Sequence, residues 1–172
     1  MSTKTLFRLV GWLAIVFIVL AFSMFAFTGG VFIALSILGG VCLAVIFYAL
    51  YVFHRPRAAT LGLVMLVCGI VSLIFENTAF MMKNGGETML SIRFVLLGVA
   101  FLLLGYLGYG NDKTPRWLAI CAYLVGVAGL AAGGAGLLGQ ASAGLTASYL
   151  MFIPFLIWLV GMWRWLLKTA AA

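Results

Sequence analysis

Glu76 closes the apolar run Gly62-Leu-Val-Met-Leu-Val-Cys-Gly-Ile-Val-Ser-Leu-Ile-Phe75, and Arg93 lies inside the next apolar run. An ionisable side chain in hydrocarbon costs about 2.5–3.5 kcal/mol on insertion scales, so each of these two needs a partner or a task. A carboxylate and a guanidinium at one depth form a charge-assisted pair, or line a polar vestibule that holds a proton, a cation or a polar solute. Glu76 precedes Lys83 by seven residues and Arg93 follows Thr88 by five, which sets both about 7–10 Å below the same boundary at about 1.5 Å per residue. Successive spans on a short loop pack antiparallel, so the spacing predicts direct Glu76–Arg93 contact. Asn77 beside Glu76, and Ser72 one turn earlier, are expected to complete the hydrogen bonding of the carboxylate.

Other chemistries lack their parts. The three acids Glu76, Glu87 and Asp112 fall on three different segments, so a catalytic carboxylate pair is not expected. His54 stands alone as the histidine, beside Arg55 and Arg57, and reads as a solvated interface residue. No serine among Ser23, Ser36, Ser72 and Ser91 has a histidine near it, which argues against acyl-transfer catalysis. Cys42, Cys68 and Cys121 are odd in number, lie inside apolar runs and form no Cys-x-x-Cys pair, so they read as packing residues. Neither a metal nor a cofactor is expected, and the reading is non-enzymatic.

The elements that must position the pair follow from composition. Of 172 residues, 66% are hydrophobic and 8% charged, with mean hydropathy +1.28; a water-soluble domain of this size could not cover that surface. The expected fold is all-α, a polytopic membrane protein forming one domain over 1–172. Breaks between apolar runs place six transmembrane helices at about 6–27, 30–53, 58–82, 89–109, 117–138 and 148–167, in a compact antiparallel bundle. The connections are short: Thr28-Gly29-Gly30, His54-Arg55-Pro56-Arg57, Lys83-Asn84-Gly85-Gly86-Glu87-Thr88, and Asn111-Asp112-Lys113-Thr114-Pro115-Arg116. The first run is longer than the apolar core of a secretory signal and ends without a small-x-small site, so it is read as a retained span.

Basic residues set the threading. With both termini cytoplasmic, Lys4, Arg8, Arg55, Arg57, Lys113, Arg116, Arg164 and Lys168 lie inside and Lys83 alone lies outside, as the positive-inside tendency requires. Trp12, Trp117, Trp163 and Trp165 fall at the same interface. The net charge of +7 is thereby a threading signal spread over short loops, and nucleic-acid binding is not expected. The minimal loops suit a bacterial cytoplasmic (inner) membrane.

A second pattern lies in the fifth span, where Ala122, Gly126, Gly129, Gly133 and Gly136 recur at three- and four-residue spacing and present a small-residue face for another helix backbone. The second span, with Ser36, Gly39 and Gly40, is one candidate to seat there; a second copy is another. Pro154 marks a possible kink in the last span. Two functions fit these features. One is a non-catalytic protein acting through intramembrane helix contacts with a membrane-protein partner or in a homo-oligomer, as an accessory or assembly subunit or an immunity-type protein against a membrane-acting toxin. The alternative is a small permease or channel for a proton, ion or neutral solute, with Glu76 in an outer vestibule.

Overall fold

The computed structural model describes residues 2–82 and 86–171. It is all-helical: α1 (Thr3–Ser23), a 3₁₀ turn (Met24–Ala26), α2 (Gly29–Met81), α3 (Gly86–Tyr109), α4 (Arg116–Leu137) and α5 (Ala141–Ala171). Among the described residues, five helices are long and apolar enough to cross a membrane.

Six separate helices were expected, and the difference lies in α2. Its 53 residues would reach about 80 Å if straight, far beyond a hydrocarbon core of about 30 Å. The helix instead breaks at one residue, Ala58, with φ −151° and ψ 70°, two positions after Pro56. Contacts then climb in antiparallel order on either side of the break. A Cβ on Gly62 would lie 3.3 Å from the Tyr51 ring and one on Gly69 2.7 Å from the Phe47 ring, Ser36 reaches Asn77, and the rings of Phe32 and Phe80 meet at 4.9 Å. The expected second and third spans are thus two arms of one bent helix. His54–Arg57 belong to the helix rather than to a loop, because a single non-helical residue suffices to reverse it.

Other boundaries move outward. Gly86, Glu87 and Thr88, expected in a loop, form the first turn of α3; Lys83, Asn84 and Gly85 lie outside the described residues. The last helix starts at Ala141 rather than 148 and runs through Pro154. The turn before it is a glycine-dependent stop: Gly139 adopts φ 75°, its N–H donates to the Gly136 carbonyl, and the Gln140 N–H donates to that of Ala135. That is the 5→2, 6→1 pattern which lets a helix end on a left-handed residue.

Each helix packs on the next, and α5 returns to α1, closing a ring of elements. Aromatic side chains fill its middle. Phe101 meets Phe47 at 5.8 Å, Phe155 at 5.6 Å and Trp158 at 4.9 Å, mostly edge to face, and all four are buried. One end of the ring gathers the α1 start, the α2 bend, the α3–α4 loop and the last turns of α5. Phe7 packs on Phe53, Arg57 lies near Gly110, Gly11 abuts Leu167, and Trp165 Nε1 donates to the Lys113 carbonyl at 2.9 Å. The basic residues on these segments therefore share one end.

The tightest seam joins α3 to α4. A Cβ on Gly98 would lie 2.7 Å from Leu130 N, one on Gly129 3.0 Å from Gly98 Cα, one on Gly126 2.8 Å from Leu102 N, and one on Gly133 2.5 Å from the Ser91 carbonyl oxygen. Gly136 likewise abuts the Ser91 hydroxyl, and Ala122 is fully buried further along α4. The small-residue stripe is occupied by α3. It does not seat the second span: Gly39 packs on Met24 and Phe17, Gly40 on Asn77, and the backbones of α2 and α4 do not come close to each other among the described residues. Sequence-adjacent helices on a short connection reach each other first.

Two substitutions test the seam. Gly98→Ala and Gly133→Ala should each cost about 1–3 kcal/mol by overpacking against backbone atoms, whereas Gly134→Ala, inside α4 with open space around its Cβ, should not destabilise and should gain up to about 1 kcal/mol from helix propensity. Denaturation from mild detergent into dodecyl sulfate measures all three, and equal stability of Gly98→Ala and Gly134→Ala would contradict the seam.

Candidate functional site

Arg93 Nη2 lies 2.7 Å from Glu76 Oε1, with the two side chains 17% and 20% exposed. This is a charge-assisted contact in a largely dehydrated place, where Coulomb attraction is stronger than in water. The helices dictate it. On α3, Ser91, Val95, Gly98 and Leu102 face α4, so Arg93, about 200° round the helix from Ser91, is turned towards α2. Glu76 stands in the last two turns of α2, one turn beyond the buried Leu73. The Arg93 guanidinium also stacks over the Phe94 ring, 4.6 Å from its centroid, a cation–π contact that orients it further.

The pair lines a cavity of about 340 Å³ at the end of the bundle opposite the basic residues. The rest of the lining is largely aromatic and aliphatic, with Phe17, Phe32, Phe152 and Phe155 prominent, and Ser36 adds a hydroxyl. Below it, Phe17 meets Phe155 edge to face at 5.8 Å, and the Phe47–Phe101–Trp158 cluster continues the floor. Arg93 Nε is buried without a hydrogen-bond partner among the described residues. The arrangement offers acceptor oxygens, guanidinium donors and an apolar bed, which is what holds a molecule with one polar end and an apolar body.

Two expected members of the site belong elsewhere. Asn77 Oδ1 accepts from Ser36 Oγ at 3.2 Å and its Nδ2 donates to the Leu73 carbonyl at 2.9 Å, so Asn77 ties the two arms of α2 together instead of serving Glu76. One residue is about 100° of helix rotation, enough to send neighbours to different faces. Ser72, fully buried, donates to the Gly69 carbonyl at 2.7 Å, the local backbone bond that serine hydroxyls favour in helices. Conversely, Ser36 and the aromatic residues of α1 and α5 were missed. Their signal was present as Ser148, Tyr149, Phe152 and Phe155 at one-face spacing in the last helix.

His54 also departs from expectation. It is 1% exposed, edge-on to Phe53 at 4.9 Å, and lines a small internal hollow with Thr114, Leu50 and Trp158. Helix continues through residue 54, so its ring turns inward one turn after Leu50. Among the described residues no three His, Cys, Asp or Glu side chains gather into a metal-binding group, and the cysteines are unbridged. No family model, no curated protein and no solved structure matches this chain, so the chemistry of the site rests on its own geometry.

Removing one charge leaves the other dehydrated and unpaired. Glu76→Leu and Arg93→Leu should each cost about 3 kcal/mol, the lower end for buried pairs because both side chains keep some exposure. The double variant should recover most of that loss, a coupling of about 1–3 kcal/mol in a double-mutant cycle. Strictly additive losses would show that the contact contributes nothing to the fold.

Proposed function

We propose that this chain is a multi-pass membrane protein that takes a small amphiphilic solute into the Glu76–Arg93 cavity. In this reading the two arms of α2 make separate crossings, giving six, and the basic end with both termini faces the cytoplasm of a bacterial inner membrane. The cavity then opens in the outer half of the bilayer. The observation that carries the reading is an ion pair forming one wall of a cavity of about 340 Å³ whose other walls are mostly apolar, with hydroxyls from Ser36, Ser148 and Tyr149. A pair serving register alone has no need of such a space.

The geometry favours this over recognition of a partner helix, because the small-residue stripe that suggested a partner is filled by α3 of the same chain. It also favours binding over an open channel. A continuous polar route would have to pass Phe47, Phe101, Phe155 and Trp158, all packed and buried. Passage of solute to the other side would require those rings to move, and the pair would supply the holding site on the outer side. Polar groups of the solute meet Glu76 and the Arg93 guanidinium; its apolar part displaces nothing charged as it enters.

Thiol access tests the reading. In a variant with Cys42, Cys68 and Cys121 replaced by alanine, Ser148→Cys, at a partly exposed position of the cavity lining, should react with a small membrane-impermeant thiol reagent in right-side-out vesicles and not in inverted ones. Ala100→Cys, at a fully buried core position, should stay unreactive in both. Equal protection of the two engineered thiols would remove the water-accessible cavity, and labelling only in inverted vesicles would reverse the threading.

A further inference from the structure

At the opposite end of the bundle, Pro115 and Trp117 of α4 and the outer face of α5 enclose an open groove of about 710 Å³. Leu156, Ile157, Val160, Gly161, Arg164 and Lys168 line it from α5, at the spacing of one helix face. Gly161 seats the Trp117 ring, which forms one wall: a Cβ there would run into that ring and come within 2.6 Å of Leu118 Cδ2. The Trp117 wall is thereby held against the α5 backbone. Trp117, Ile157 and Val160 remain substantially exposed along it.

Its chemistry is graded along the helix. From Leu156 to Lys168 the groove runs twelve residues, about 18 Å, against about 15 Å for half a hydrocarbon core. The first half is purely aliphatic and aromatic, and both charges sit in the last two turns. Neither Arg164 nor Lys168 forms an ion pair among the described residues, where the one salt bridge is Glu76–Arg93. Trp165, beside them, is anchored to the Lys113 carbonyl and so holds the rim in place.

We infer that this groove is a binding site for an anionic phospholipid of the adjoining leaflet. One acyl chain lies along Leu156, Ile157 and Val160 against Trp117, and the phosphate is met by Arg164 and Lys168. A soluble anion would use the two cations and leave the apolar length idle; a zwitterionic lipid would use the apolar length but gain little from two unpaired cations. Only an anionic lipid matches both halves, and basic pockets between helices at a membrane surface bind such head groups. The inference rests on the membrane reading and is independent of the Glu76–Arg93 cavity.

The test uses the purified full chain in mild detergent, offered equal amounts of phosphatidylglycerol and phosphatidylcholine with matched acyl chains, with retained lipid counted by native mass spectrometry. Phosphatidylglycerol should be retained in preference, and Arg164→Gln with Lys168→Gln should lower that preference about tenfold or more, as two basic side chains facing an anionic head group imply. Arg55→Gln with Arg57→Gln, at the same end but outside the groove, should leave the preference intact. Val160→Trp, which fills the groove without touching a charge, should lower retention of both lipids. A preference unchanged by the Arg164/Lys168 variant would overturn the site. So would competition by glycerol phosphate as effective as that of the whole lipid, which would mark a simple anion patch. Carbonate-resistant membrane association of each variant separates failure of the site from failure of the membrane reading.

Discussion

The structure depends most on the close approach of α3 to α4. Helices in apolar surroundings gain little from burying more apolar surface, so they associate where backbones come near enough for dense van der Waals contact. Glycines on both partners permit that here: Gly98 on α3 meets Gly129 on α4 with no room for a Cβ on Gly98 and a tight fit for one on Gly129. Locking that face of α3 decides where its other faces point. Arg93 is carried round towards α2, and Phe101 is carried into the middle of the ring, where it touches Phe47, Phe155 and Trp158. The ion pair and the aromatic floor of its cavity are thus two results of one seam.

The chain divides its polar groups by end. Basic residues on the α1 start, the α2 bend, the α3–α4 loop and the end of α5 meet at one pole, while Glu76 and Arg93 sit towards the other with a layer of aromatic rings between. Each pole has a hollow suited to its charges: a walled cavity beside a neutralised pair, and an open groove beside two unneutralised cations. The aromatic layer keeps the two from communicating through water, since its edge-to-face contacts leave the centre densely packed.

Much of this was legible in the residues because it depends on simple geometry. Helical content and the positions of the apolar segments follow from hydropathy, and the depths of Glu76 and Arg93 follow from the rise per residue, with little influence from distant contacts. Other features depend on rotation rather than depth. Asn77 is one position from Glu76 yet faces another helix arm, and Ser72 finds a backbone carbonyl of its own helix before any distant carboxylate. His54 was misplaced because Arg55, Pro56 and Arg57 suggest a loop. A proline near a helix reversal removes a backbone donor where the hydrogen-bonding ladder is about to be interrupted, so helix persists to the bend and the ring turns inward. The stripe on α4 was visible, but which helix filled it was not, because small residues advertise closeness without naming the neighbour.

Ser36 and Asn77 sit on opposite arms of α2, and their bond settles the polar needs of a side chain that would be costly in apolar surroundings. A carboxamide facing lipid alone keeps a donor or an acceptor that no water satisfies, a cost of several kcal/mol. Asn77 has both kinds of group occupied within α2, one by Leu73 of its own arm and one by Ser36 of the arm made earlier. The bent helix thereby matches Asn77 within itself, without α3, α4 or α5. Asn77 is complete once the two arms of α2 meet, whereas Glu76 on the same arm is completed only by Arg93 of α3. The bent helix and α3 together thus form the smallest piece in which both polar side chains are matched.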